Sequence, residues 1–292
     1  MKILVFDIGG TSIKYGVCTD NVLQDVKETP TNAKLGGRHI VETLISLIKE
    51  QSGYDAIGIS TAGQVNSKEG YIIYANQNIP NYTGTKIKEE LEELFHVPVT
   101  VENDVNAAAM GEAVYGAGKD YHQFLMLTYG TGVGGATVTN KEVYYGSSYS
   151  ASEFGAIITH SDARLAGSDY FDGCYEKYAS TTGLVKMAKE YKPELDNGRK
   201  IFENLNDPKV MDILDKWVDE IMLGLATLTH IYNPPCIILG GGIMVQPLIM
   251  EKIAEKKSRF IMPSFAHVNL IPAALGNSAG LLGANYLASK NL

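Results

Sequence analysis

Cysteine is scarce in this 292-residue chain: Cys18, Cys174 and Cys236 are the only three. An odd number of widely spaced thiols gives no disulfide framework, so a reducing compartment, the cytoplasm, is the expected setting. Long apolar runs are missing as well. Each is interrupted by Gly, Pro or a charge before the ~20 residues needed to span a bilayer, and Asp7 breaks the first, where a signal peptide needs an unbroken apolar core. No membrane segment and no secretion are expected. Basic residues are outnumbered, 25 Lys and Arg against 33 Asp and Glu for a net charge of −8. With no long run of Lys or Arg, this balance argues against a nucleic-acid partner, which needs a concentrated cationic face. The six histidines, His39, His96, His122, His160, His230 and His267, keep no metal-type spacing, and a surface or capping role is expected of each. What is present is apolar content, 45% of residues, too much for a disordered chain and enough for one large domain or two.

The pattern along the chain repeats. Ile3 to Phe6, Ile13 to Cys18 and Val22 to Val26 read as a three-strand meander. Ile40, Leu44, Leu47 and Ile48 then recur at helical spacing, Ala56 to Ser60 reads as a buried strand, Gly84 to Phe95 as an amphipathic helix, and Val97 to Val101 as a strand. This is a βββαβαβ order. After an Ala-rich helix, Ala107 to Tyr115, the plan restarts with Phe124 to Thr128, Gly130 to Gly135, Ala136 to Thr139 and Val143 to Tyr145. Val210 to Ile231 makes the longest helix, ended by Asn233-Pro234-Pro235. A buried strand, Cys236 to Leu239, and a helix from Pro247 to Lys257 follow. The expectation is an α/β protein with two similar domains, residues 1–115 and 116–276, a ligand cleft between them, and a last helix within 277–292 returning to the first domain. Lys192 to Asn206 is only weakly patterned.

Three glycine clusters follow strands. In Asp7-Ile8-Gly9-Gly10-Thr11 two glycines leave backbone N–H groups open to a phosphate, and Asp7 at the strand end suits a hydrated Mg²⁺; a plain Gly-Gly hairpin turn is the alternative. Thr128 to Gly135 has four glycines and two threonines in eight residues, which weakens a strand pair unless backbone must approach a ligand. It is neither a Walker A loop nor a Rossmann fingerprint. Gly240-Gly241-Gly242 sits before a helix, as a nucleotide contact or as an ordinary helix-entry turn.

Glu102-Asn103-Asp104 ends a strand and starts a helix. Asp104 there can take the proton of a sugar hydroxyl attacking the terminal phosphoryl group of ATP, or Asp104 or Asn103 can simply cap the helix. Glu153 and Glu176, near turns, can accept from sugar hydroxyls, although each taken alone reads first as a solvated surface charge.

Taken in order, DIGGTSIKYG (Asp7 to Gly16), ENDVNAAAMGE (Glu102 to Glu112), TYGTGVGGA (Thr128 to Ala136), the Glu153 segment, GCYEKYAS (Gly173 to Ser180) and NPPCIILGGGI (Asn233 to Ile243) resemble the ROK family of sugar kinases and repressors, within the actin-like ATPase superfamily. The resemblance implies two ribonuclease-H-like domains closing on ATP and a hexose, with Mg²⁺ held by Asp7 through water. It implies Asp104 as catalytic base and Asn103, Glu153 and Glu176 as sugar ligands, with Gly63, where Ala62 replaces a family proline, and Asn78 as further pocket residues. Gly9, Gly10, Thr11, Lys14, Thr131 and Gly132 would cradle the phosphates, and Gly241 and Gly242 would lie by the nucleoside.

One departure is large. Where family members commonly bind zinc through one His and three Cys, this chain has Ala156, Gly167, Asp169 and Cys174. A structural zinc needs a closed set of four ligands, so no structural zinc is expected, as in the β-glucoside kinases of the family, and packing of Tyr170, Phe171 and Tyr175 is expected to hold the loop instead. The resemblance thus implies an ATP-dependent kinase acting on the 6-hydroxyl of a hexose or hexose derivative (a β-glucoside, glucose or N-acetylmannosamine), working as a homodimer. The alternative is a catalytically silent sugar-binding or regulatory protein on the same scaffold. A repressor is disfavoured, because the first strand begins at Lys2 and the charge is acidic.

Overall fold

The computed structural model describes every residue, Met1–Leu292. Two compact units emerge, one made of residues 1–120, 137–151 and 277–292, the other of 121–136 and 152–276. The first half of the chain runs β1 (Lys2–Ile8), β2 (Ser12–Thr19), β3 (Val22–Pro30), α1 (Gly37–Lys49), β4 (Ala56–Thr61), β5 (Gln64–Asn66), β6 (Tyr71–Tyr74), α2 (Ile87–Phe95), β7 (Val99–Asn103) and α3 (Asp104–Tyr115). The first sheet has the order β3-β2-β1-β4-β7. β1 pairs antiparallel with β2 and parallel with β4, and β4 parallel with β7. Composition explains the positions. β4 is buried along its whole length, as a strand covered on both faces must be, whereas β3, rich in charge, is mostly exposed at the edge, where charge discourages pairing with another chain. α1 turns Ile40, Val41, Leu44 and Ile48 inward.

The second half runs β8 (Gln123–Tyr129), β9 (Val133–Thr139), β10 (Glu142–Val143), α4 (Tyr175–Ala179), α5 (Thr181–Tyr191), α6 (Gly198–Glu203), α7 (Pro208–Tyr232), β11 (Cys236–Gly240), α8 (Pro247–Phe260), β12 (Asn269–Pro272) and α9 (Ala279–Ser289). Its sheet order, β10-β9-β8-β11-β12, reproduces the first. α7 begins at an Asp207 cap followed by Pro208 and ends at Asn233 in the left-handed conformation, which is why Asn-Pro-Pro marks its end. Its buried face, with Trp217 fully enclosed, anchors the larger apolar core together with β8 and β11. A second core lies among β1, β4, β7, α1 and α2. The Ala-rich α3 packs on α9, and glycine is required at that crossing because a methyl group at Gly283 would overlap the Ala107 carbonyl.

Several elements differ from the pattern reading. The helix expected from Gly84 starts at Ile87, since Gly84 turns through φ 83°. Gly130 to Gly132 is a turn, and β9 begins only at Val133. The β5-β6 hairpin, α4, α5, α6 and β12 were not foreseen. Each is short or polar on most faces, so neither period stands out. No helix is long and apolar enough to cross a membrane.

Candidate active site

In the first unit the chemistry gathers where β1 and β7 end. Asn103 is the N-cap of α3: its Oδ1 accepts from the N–H groups of Val105 (3.0 Å) and Asn106 (3.1 Å). Its amide nitrogen donates to the Gly63 carbonyl and to Asp104 Oδ1, each at 2.9 Å. Oδ1 of Asp104 also accepts from Val105 N–H at 2.9 Å. One carboxylate oxygen is thus fixed in orientation by two hydrogen bonds. The side chain is only partly exposed. Burial first, then the negative charge of Asp7, push its carboxyl up to about 7, against the pull of the Val105 and Asn103 hydrogen bonds. Desolvation wins over the helix N-terminus, which by itself favours the anion.

Asp7 accepts from the Ser60 hydroxyl at 2.6 Å and sits across the ladder from Lys14. Burial raises its carboxyl, and Ser60 and Lys14 moderate the shift. In the adjoining turn the Gly9 N–H is used internally, donating to the Ser12 carbonyl at 3.0 Å, while nothing lies within 4 Å of where a side chain on Gly10 would start. Gly10 and the exposed Thr11 are therefore the approachable part of this turn. No cluster of three or more metal-type side chains is present. Asp7 thus fits a Mg²⁺ that keeps its waters and arrives with phosphate oxygens, not a protein-built cage.

Two neighbours were missed. Glu102 is buried and fully engaged, accepting from Tyr145 O–H (2.7 Å), Asn103 N–H (2.8 Å) and Asn106 Nδ2 (3.1 Å). It braces the turn that presents Asp104. Tyr82, fully enclosed, shares a 2.7 Å hydrogen bond with Thr61 and lies close enough to Asp104 to feel its charge. Gly63, at φ 100°, joins the group through Asn103. Asn78 does not: it is exposed on a turn, with its N–H on Asn76 Oδ1 at 3.0 Å.

In the second unit the glycine turns face a cavity of about 780 Å³, within the usual range for a small-molecule site. Thr131 and Gly242 line it, as do Val185, Phe202 and Ile243 on its apolar part and Asn197 and Arg199 on its polar part. Gly241 adopts φ 102°, and a methyl group there would overlap the Tyr129 backbone, so this turn admits only glycine. The α6 contribution was invisible in the weakly patterned stretch, and α5, which precedes that stretch, was not foreseen either. The available signal was the caps, Ser180 accepting from Gly183 N–H and Asn197 from Lys200 N–H.

Glu176, on α4, reaches the second glycine turn: its Oε2 accepts from Val133 N–H at 3.4 Å and occupies the space beside Gly132. Burial raises its carboxyl, and the charge of Glu153 adds to the rise. At the positions corresponding to a zinc site, the buried Cys174 thiol faces the carbonyls of Ala156 (3.4 Å) and Tyr170 (3.5 Å). The aromatic packing expected there is only partly right. Tyr175 is fully buried and bonded to Tyr129 and the Ile221 carbonyl, whereas Tyr170 is 60% exposed, touching Phe171 at its edge of the loop. His160 is half-buried and stands at the N-cap position of the 3-10 turn Ser161–Ala163, but its side chain makes no capping hydrogen bond. Its ring stacks on Tyr178 at 3.7 Å, and its Nε2 lies 3.5 Å from Glu220.

With this geometry in place, comparison with known proteins decides the family. The ROK family profile matches residues 3–291. The chain belongs to the ROK family. A β-glucoside kinase of Listeria monocytogenes is 33% identical over 98% of this ROK chain and 97% of its own length. A glucokinase of Streptomyces coelicolor is 32% identical over 97% and 96%. The crystal structure of a ROK glucokinase from Streptomyces griseus in complex with glucose and AMPPNP superposes with a TM-score of 0.86 at 30% identity, covering 99% of this chain and all of that one. The fold is therefore the actin-like two-domain α/β architecture.

Proposed function

We infer that this protein, an ATP-dependent sugar kinase, transfers the terminal phosphoryl group of ATP to the 6-hydroxyl of a hexose or hexose derivative, with Asp104 as the base. The carrying observation is the Asp104 carboxyl: fixed through Oδ1 at the start of α3, with its pKa pushed up to about 7, it is matched to taking a hydroxyl proton near neutral pH. Because phosphoryl transfer has a loose transition state, the base mainly orients the hydroxyl and receives its proton late. In this reading Glu153 and Glu176 accept from sugar hydroxyls, Asn103 exchanges one of its amide hydrogen bonds, to Gly63 or Asp104, for a sugar hydroxyl, and Gly63 lines the pocket through its backbone. The cavity beside Thr131 and Gly242 takes the nucleoside, its Val185, Phe202 and Ile243 side chains meeting the base. Asp7 and Lys14 attend the phosphates. A Mg²⁺ ion on Asp7 would supply charge neutralisation there.

A glucoside, glucose or N-acetylmannosamine all present the same primary hydroxyl, and a β-glucoside kinase, a glucokinase and a protein described as a putative N-acetylmannosamine kinase all resemble this chain. The test is ADP release measured over a panel of these sugars. Turnover with at least one, abolished in Asp104→Asn while calorimetry still detects the sugar, supports the reading; binding without turnover in the unmodified protein points instead to a silent sugar-binding protein. The reading extends to a pair of chains, which sedimentation checks.

A further inference from the structure

We propose that His160 is a positioning residue for the sugar: it locks α4 in the orientation that presents Glu176. The proposal rests on the assignment of Glu176 as a sugar acceptor. Residues 161–172 form an excursion between two segments that lie side by side. Ile158 bridges Cys174 in antiparallel fashion. The Tyr175 N–H donates to the Ile157 carbonyl at 2.7 Å, and the N–H groups of Thr159 and His160 both reach the Gly173 carbonyl at 3.0 Å. Backbone alone thus closes the neck of the excursion, and His160 stands at that neck.

From there its side chain reaches two helices. The imidazole lies nearly flat on the Tyr178 ring, 3.7 Å between centroids and 15° between planes, on the same short helix as Glu176. Nε2 points to Glu220 Oε1 of α7 at 3.5 Å, and Nδ1 lies 3.1 Å from the Thr159 hydroxyl. The other Glu220 oxygen is buried without a partner, so losing His160 would leave a poorly hydrated carboxylate beneath α4. α4 has only five residues, too few to hold its own orientation, since isolated short helices are marginal. Its direction therefore depends on what it is fastened to. Tyr175 fastens one face to the core, and the His160 stack fastens another to α7. This does the work of a staple in a loop whose residues at 156, 167, 169 and 174 supply a single thiol.

The experiment uses the full chain and reads KM for sugar, KM for ATP and kcat separately. His160→Ala is expected to raise the sugar KM about tenfold, as misplacement of a binding group by a fraction of an ångström does, with the ATP KM within about twofold of the parent. His160→Phe, which keeps the stack and loses the Glu220 contact, should recover part of that rise. A folded His160→Ala protein with unchanged sugar KM, or with both KM values raised alike, overturns the proposal. Should that variant fail to fold, Glu220→Gln keeps the volume and reads the same contact: a selective rise in sugar KM supports the proposal and none overturns it. Glu176→Gln is measured alongside. If it leaves the sugar KM unchanged, the Glu176 assignment falls and this inference with it; if it raises the sugar KM while His160→Ala does not, only the inference falls.

Discussion

The two five-stranded sheets share one strand order but carry different chemistry at the corresponding strand ends. In the first sheet the central strand β1 ends in Asp7 and Ile8, and β7 leads into Asn103 and Asp104. In the second, β8 leads into Gly130-Thr131-Gly132 and β11 ends in Gly240 before Gly241-Gly242. One sheet thus presents carboxylates and the other presents bare backbone beside a cavity. A repeated topology supplies the same platform twice, and in the proposed reading the residues placed on it divide the work: acid–base chemistry and metal on one, nucleotide on the other.

The largest effect that tests this division is at Asp104. Asp104→Asn should slow turnover 10²- to 10⁴-fold in an ADP-release assay. The same variant should be at least as stable as the parent above neutral pH. The folded-state carboxyl lies near 7 against 3.8 in the ordinary state, so the folded protein holds the extra proton between those values. The stabilisation due to that proton is complete below about 4 and is lost as pH rises through about 7. Thermal melting of the two proteins at pH 5 and pH 8 checks the sign; a variant less stable than the parent only at pH 8 would contradict it. Next, because the base works deprotonated, kcat/KM should climb with pH to a plateau with a midpoint near 7, read from a pH–rate profile.

Smaller effects belong to the second sheet. Gly241→Ala forces a side chain into the Tyr129 backbone at φ 102°, a strain of ~1–3 kcal/mol, expected as a raised ATP KM and a melting temperature lower by a few degrees. The smallest is Phe202→Ala, which removes apolar lining from the cavity. ATP KM should rise several-fold, about 1 kcal/mol, with the sugar KM unchanged. The opposite split would assign the cavity to the sugar and end the comparison drawn above.

Most strands of the two sheets were legible, β12 excepted, because buried strands need continuous apolar, β-branched runs, and so were α1 and α7, whose buried faces recur at helical spacing. The Asp7 and Asp104 positions were legible because strand-end carboxylates stand next to glycine turns and a cap signature. The cavity wall was not. Val185 and Phe202 lie on α5 and α6, helices too short or too polar to announce themselves, and nothing local to Lys192 to Asn206 shows that it faces Thr131. Asn78 illustrates the opposite failure, a plausible polar residue that the fold leaves on an exposed turn.

Composition and periodicity by themselves fixed the class of molecule, the doubled α/β plan and the glycine turns, because burial and backbone freedom leave marks on neighbouring residues. Tertiary structure alone decided that burial pushes the Asp104 carboxyl up to about 7, that Glu102 is a brace, and that His160 joins α4 to α7. Each of these depends on desolvation or contact between groups far apart along the chain, and distance in space is not written in spacing along it.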